Sequence, residues 1–214
     1  MRFLYISFER KEKKKKKAMN NEWIVSKTAY YNTYTYYEGP TGHYTVEVSR
    51  FREDEDDEDE KVFKSRFVLL EDYECADACS GDAEYAYAAV NRSMFTRSQL
   101  LLPGSVEDRP MLILEDCEFT EEGKTMSTEE KGDCIMNALV HCLNELLYLS
   151  PEGLLFLYFR EDEEETLAFD LAQMSDEYMN SEYYRMVITR NENVGSEKNG
   201  YYRCYAGVVR TALI

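Results

Sequence analysis

The sequence predicts a single α+β domain from about residue 20 to residue 214: a mainly antiparallel sheet, one long amphipathic helix at about 128–149 packed on it, and acidic loops between strands. Three observations predict it. Residues 27 to 51 alternate in the manner of a β-hairpin. Residues 128 to 149 carry apolar side chains at helical spacing behind a capping signal. Leu154 to Phe159 (LLFLYF) form a short run that is apolar on both faces, as a central strand is. A chain of 214 residues buries roughly 70% of its unfolded surface, so a core forms without metal or disulfide staples. Apolar residues at 44% and 18 Tyr argue against disorder despite the charge.

Residues 1 to 19 read as a basic, disordered extension. The start, MRFLYISFERKEKKKKK, places its apolar stretch before the positive run, the reverse of a secretory signal. It reads either as a basic arm of the nuclear-localisation type or as a leader outside the folded unit. The hairpin follows: KTAYYNTYTYYE is dense in Tyr and Thr, Gly39 to Gly42 (GPTG) supplies turn chemistry, and HYTVEVSRF alternates. Tyr44, Val46 and Val48 fall on one face, with Thr45, Glu47 and Ser49 on the other.

Eight acidic residues then interrupt the pattern: Glu53, Asp54, Glu55, Asp56, Asp57, Glu58, Asp59 and Glu60. Like charges at this spacing stay in water or meet a cationic partner. Because Val62 to Leu70 resume a strand, the run reads as a long solvated loop between neighbouring strands, inserted at a sheet edge. A short helix is expected near Asp82 to Val90, a turn at Pro103-Gly104, and a buried strand at MLILED after Pro110.

The helix at 128–149 has the strongest signal. Ser127 and Glu130 have capping-box spacing, and Ile135, Leu139, Cys142, Leu143 and Leu146 form the apolar stripe. Leu154 to Phe159 should lie beneath it. The second acidic run, from Glu161, Asp162 and Glu163 to Glu165, returns the chain to solvent. Beyond it TLAFDL reads as a strand, Met174 to Tyr184 as a helix, Arg185 to Thr189 as a strand, and NENVGSEKNG as a loop. Tyr201 to Leu213 read as a final strand with Gly207 as a bulge.

Charge narrows the functions. The total is −17, but residues 1 to 18 carry a net +6, which leaves −23 on the remainder. Such a body repels nucleic acid and anionic membrane and attracts basic proteins, so the expected partner is a protein, with charge favouring a basic one, and no direct nucleic acid or membrane is expected. The longest apolar run, Leu154 to Phe159, is far below the roughly 20 residues that span a bilayer.

No catalytic signature accompanies the charge. Neither GxGxxG, GxxxxGK[ST] nor GxSxG occurs, and the acidic runs lack EF-hand spacing. Six Cys in a chain with a core-sized apolar content read as reduced thiols, which places the protein in the cytoplasm or nucleus, where the Asn91-Arg92-Ser93 sequon is inert. Cys75 and Cys79 have C-x3-C spacing without a second knuckle to complete a zinc site. His43 reads as an exposed hairpin residue. His141 reads as a helix-surface residue able to pair with Asn137 or Glu145. No cofactor and no metal are expected. Tyr30, Tyr34 and Tyr36 share one face of the first hairpin strand, with Tyr31 and Tyr37 on the other, so aromatic surface should remain outside the core.

Leu143 to Phe159 (LNELLYLSPEGLLFLYF) look like the helix-to-strand passage of archease, a small acidic activator of RNA ligases. The aspartate-rich His-Thr-Ala-Asp motif of that family and its later Lys-Ala motif are missing, so the family is not assigned. The sequence therefore points to a non-catalytic, acidic protein-interaction module or accessory subunit of a complex. Its interaction surface would combine Tyr30, Tyr34 and Tyr36 with the two acidic runs. The alternatives are a small enzyme with a dispersed Cys/His/carboxylate site, or a histone-chaperone-like binder of basic proteins.

Overall fold

Alternation builds the first half of the molecule. In the computed structural model, which describes residues 17–18, 21–32, 41–50, 59–79, 81–96, 105–160, 180–196 and 200–212, strands β2 (Asn21–Asn32) and β3 (Thr41–Arg50) form the expected antiparallel hairpin. A two-residue strand, β1 (Lys17–Ala18), extends it beyond β2. Tyr44, Val46 and Val48 are buried on one face of β3. Ser49, expected on the wet face, is buried as well, beside the register shift between β3 and β4 (Glu60–Leu70).

The chain continues through α1 (Tyr73–Cys79), α2 (Gly81–Thr96), β5 (Met111–Phe119), α3 (Glu121–Lys124), α4 (Thr128–Leu149), β6 (Glu152–Arg160), β7 (Tyr184–Ser196) and β8 (Gly200–Thr211). The strands form one mixed sheet in the order β1-β2-β3-β4-β5-β6-β8-β7. β5 and β6 run parallel, with α3 and α4 in the connection between them, and the other described neighbours pair antiparallel. β6 lies inside the sheet, flanked by β5 and β8, as its two-sided apolar sequence requires.

Helices cover both faces, where the sequence predicted one. On the first face α4 carries Ile135, Leu139, Cys142, Leu143 and Leu146 onto Tyr44, Val46, Phe63, Leu112, Leu155 and Tyr205. Its capping box is complete: the Ser127 hydroxyl accepts from the Glu130 amide, and the Glu130 carboxylate accepts from the Ser127 amide. At the other end, Gly153 lets β6 pass close beneath, since a Cβ there would lie 2.7 Å from the Leu146 side chain.

On the second face α1 and α2 set Cys75, Ala76, Ala83, Ala86, Tyr87 and Val90 against Met111, Ile113, Leu154, Phe156 and Val208. The sequence did not reveal α1 and confined the next helix to 82–90. Gly81 begins α2 rather than breaking it, and small alanines let both helices sit close to the sheet. The Tyr87 hydroxyl donates to the Arg109 carbonyl at 2.6 Å and anchors α2 to the segment entering β5.

Three further expectations are corrected. The acidic run joins β3 and β4, which are inner strands, so it is not an insertion at a sheet edge. No helix reaches Tyr184: Asn180 bridges to Arg185, Tyr184 opens β7, and β7 runs to Ser196 through much of the expected loop. Gly207 is not a bulge, since the β7–β8 register shift falls at Asn191/Val194. Gly207 instead allows close approach, because a Cβ there would meet the Val187 carbonyl oxygen at 2.9 Å. The expected strand at 166–171, the helix up to residue 179 and the turn at 103–104 lie outside the described residues.

Candidate interaction surface

The hairpin places Tyr30 and the strand end that leads into the acidic run at opposite ends of β2 and β3. Tyr30 pairs with His43, whereas Trp23 pairs with Arg50, at the end from which the acidic run departs. Tyr30 lies seven strand positions from Trp23, roughly 23 Å along β2. Asp59 is exposed just before β4, and Glu60 is its first residue, half-buried and paired with Arg50. Tyr34, Tyr36, Glu53, Asp54, Glu55, Asp56, Asp57, Glu58, Glu161, Asp162 and Glu163 lie outside the described residues.

The thiols have the environment of core residues. Cys75, Cys134, Cys142 and Cys204 are buried and Cys117 is half-buried. Burial pushes the Cys142 thiol up to about 12 and Cys204 to about 11, and raises Cys134 further. A nucleophilic or metal-binding cysteine needs its pKa moved the other way. Among the described residues, no group of three or more His, Cys, Asp and Glu side chains is arranged to hold a metal ion.

The histidines lie on two different elements. His43 is a half-buried β3 residue, in place of the exposed one expected. His141 Nδ1 lies 3.0 Å from the Asn137 carbonyl oxygen, one turn back on α4. Glu145, the other expected partner, is engaged across the fold: Lys27 Nζ of β2 donates to its carboxylate at 2.5 Å and to the His141 carbonyl at 3.2 Å. This contact ties α4 to the hairpin.

Other charged clusters also join elements. Arg50 donates to Glu130 of the α4 cap at 3.1 Å and lies 5.8 Å from the Trp23 ring centre. Arg109 and Arg210 both bond the Glu152 carboxylate, which fastens the start of β6 to the entry of β5 and the end of β8. On the sheet face left open beside α1 and α2, Lys64, Ser65, Arg66, Asp116 and Glu118 line a shallow depression, crossed by an Arg66–Asp116 ion pair at 3.1 Å. Both partners of that pair are largely solvated, so it contributes little to stability.

The exposed large apolar side chains among the described residues are few, and they lie on α4, β7 and the segment before β7. Tyr148 is 88% exposed, Tyr183 72%, and Leu149 and Val187 40% each. The end of β8 is bonded to both neighbouring segments: the Thr211 amide donates to the Pro151 carbonyl at 2.8 Å and the Ala212 amide to the Tyr183 carbonyl at 2.9 Å. Sequence reasoning missed these exposed side chains, although a signal for Tyr148 exists. Tyr148 lies two residues beyond Leu146, about 200° around the helix and so opposite the buried stripe. No family model, no curated protein and no solved structure matches the chain.

Proposed function

We propose that the chain is a non-catalytic interaction module or accessory subunit of a protein complex, working in the cytoplasm or nucleus on a basic protein partner. Its scaffold is a largely antiparallel sheet carrying one amphipathic helix, α4. Acidic segments raise the encounter rate through long-range attraction, and exposed aromatic surface supplies the short-range contact.

One observation carries this reading: tyrosine rings face solvent, Tyr148 at 88% and Tyr183 at 72%, on a body that bears −23 beyond its first 18 residues. Tyrosine is enriched at interfaces because it offers a large apolar area with a polar tip, and solvated carboxylates steer cationic proteins. The raised thiols favour the same reading, since burial holds them in their protonated, unreactive form.

The test compares capture of basic proteins by the full chain and by a variant whose acidic residues at 53–59 and 161–165 are replaced with Ser and Asn. Association should slow sharply in the variant, and added salt should slow the parent in the same way. Undiminished, salt-insensitive capture by the variant would remove the steering role.

A further inference from the structure

Resting on that reading, we propose that the chain's own basic segment, Arg10 to Lys17, is the resident occupant of the molecule's acidic end, and that a basic partner must displace it. Strand register brings the two together. β1 pairs Lys17 with Glu22, one position before Trp23. Trp23 pairs with Arg50, Arg50 with Glu60, and Phe63 with Phe119, so the start of β2, the end of β3, the start of β4 and the end of β5 share one end of the sheet. The α4 cap lies at the same end, where Arg50 donates to Glu130. The acidic run follows Arg50 in the chain and finishes at Glu60, so both of its attachments are here.

Described side chains add to that charge. Asp59, Glu121, Glu122 and Glu129 are exposed at this end. The cations beside them are already committed: Lys124 pairs with Glu121 at 2.7 Å, Lys61 with Glu47 at 2.9 Å and Arg50 with Glu130 at 3.1 Å, while Lys131 is buried beside the Phe119 ring. Among the described residues, no cation pairs with Asp59, Glu122 or Glu129. Arg10, Lys11 and Lys13 to Lys17 supply the complementary charge. They are also within reach. β1 and β4 are three strand spacings apart, about 14 Å. The stretch from Lys17 back to Lys13 extends about as far, before the lysine side chains are counted. A segment tethered so closely meets the carboxylates at roughly millimolar effective concentration, which shields them from weaker basic ligands.

The experiment is carbodiimide coupling of the full chain at low salt, with the linked peptides identified by mass spectrometry. Lys11 and Lys13 to Lys16 should join Asp59, Glu121, Glu122, Glu129 or the acidic run at least about fivefold more often than Glu74, Glu107 and Asp108, which are exposed toward the opposite end, where Leu70 pairs with Met111. High salt should abolish the preference. In a mixture with isotope-labelled chain the links should stay within one copy, and added oligolysine should suppress them as it binds. Even coupling to both ends, coupling between copies, or links that bound oligolysine leaves untouched would overturn the inference while the proposed function stands. A full-length variant combining Lys11→Gln, Lys13→Gln, Lys14→Gln, Lys15→Gln and Lys16→Gln tests the reading beneath it. If even that variant fails to bind oligolysine, the basic-partner reading falls and this inference with it.

Discussion

The two faces of the sheet are covered by helices of different kinds. On one, α4 inserts Ile135, Leu139, Leu143 and Leu146, large side chains that fill space between a single helix and several strands. On the other, α1 and α2 approach through Ala76, Ala83, Ala86 and Ala89, and Tyr87 is the one large, fully buried side chain among their described residues. The first face gains by filling volume and the second by closeness. They should therefore respond oppositely to a change in side-chain size.

The largest effect is expected on the α4 face. Leu139 is fully buried, so Leu139→Ala leaves a cavity and should cost about 2–5 kcal/mol in chemical denaturation. A cost under about 1 kcal/mol would mean that α4 is loosely packed, and the contrast between faces would collapse. On the other face, Ala86→Leu adds volume where none is free and should cost about 1–3 kcal/mol. A neutral or stabilising result would show room between α2 and the sheet.

Smaller perturbations sharpen the same contrast. Ser127→Ala removes the α4 cap and should cost about 1 kcal/mol, with the helix end fraying in hydrogen exchange. The buried thiol of Cys142 gives a pH signature. Its pKa is raised in the folded state, so the unfolded chain loses that proton first as pH rises past the ordinary value near 9, and stability falls from there toward about 12. Between pH 9 and 10 the parent should lose about 1 kcal/mol more than Cys142→Ala. Equal slopes would place that thiol in water. Least of all, Lys27→Met breaks the Lys27–Glu145 pair, whose partners are 22% and 31% exposed, and should cost under about 1 kcal/mol, less in high salt.

The same contrast explains what the sequence made legible. α4 was readable from end to end because a capping box and a stripe of branched apolar residues leave few alternatives to a helix. β3 and β6 were readable because alternation and two-sided apolarity each match one strand environment. α1 and α2 were hard to read because alanine packs well against a sheet yet carries almost no periodic signal, and Gly81 resembles a break when it is a start. Strand order was illegible for another reason: which strands become neighbours depends on long-range packing, so nothing local marks β8 as lying between β6 and β7. Of the candidate surface, the charge was legible but the exposed tyrosines were not. Tyr148 and Tyr183 are 35 positions apart in the sequence, and the exposure of each depends on how its own element packs rather than on any local motif.

The placement of β8 also governs the order in which the molecule can be assembled. β8 is the last strand in the sequence, yet it contributes Tyr205 and Val209 to one core and Cys204, Ala206 and Val208 to the other. During synthesis, therefore, neither core can close until residues 200 to 211 emerge, and β6 waits with an open backbone edge. A nascent chain of this kind is a natural client for chaperones, and a stop codon ahead of β8 would yield an aggregating product rather than a smaller working protein.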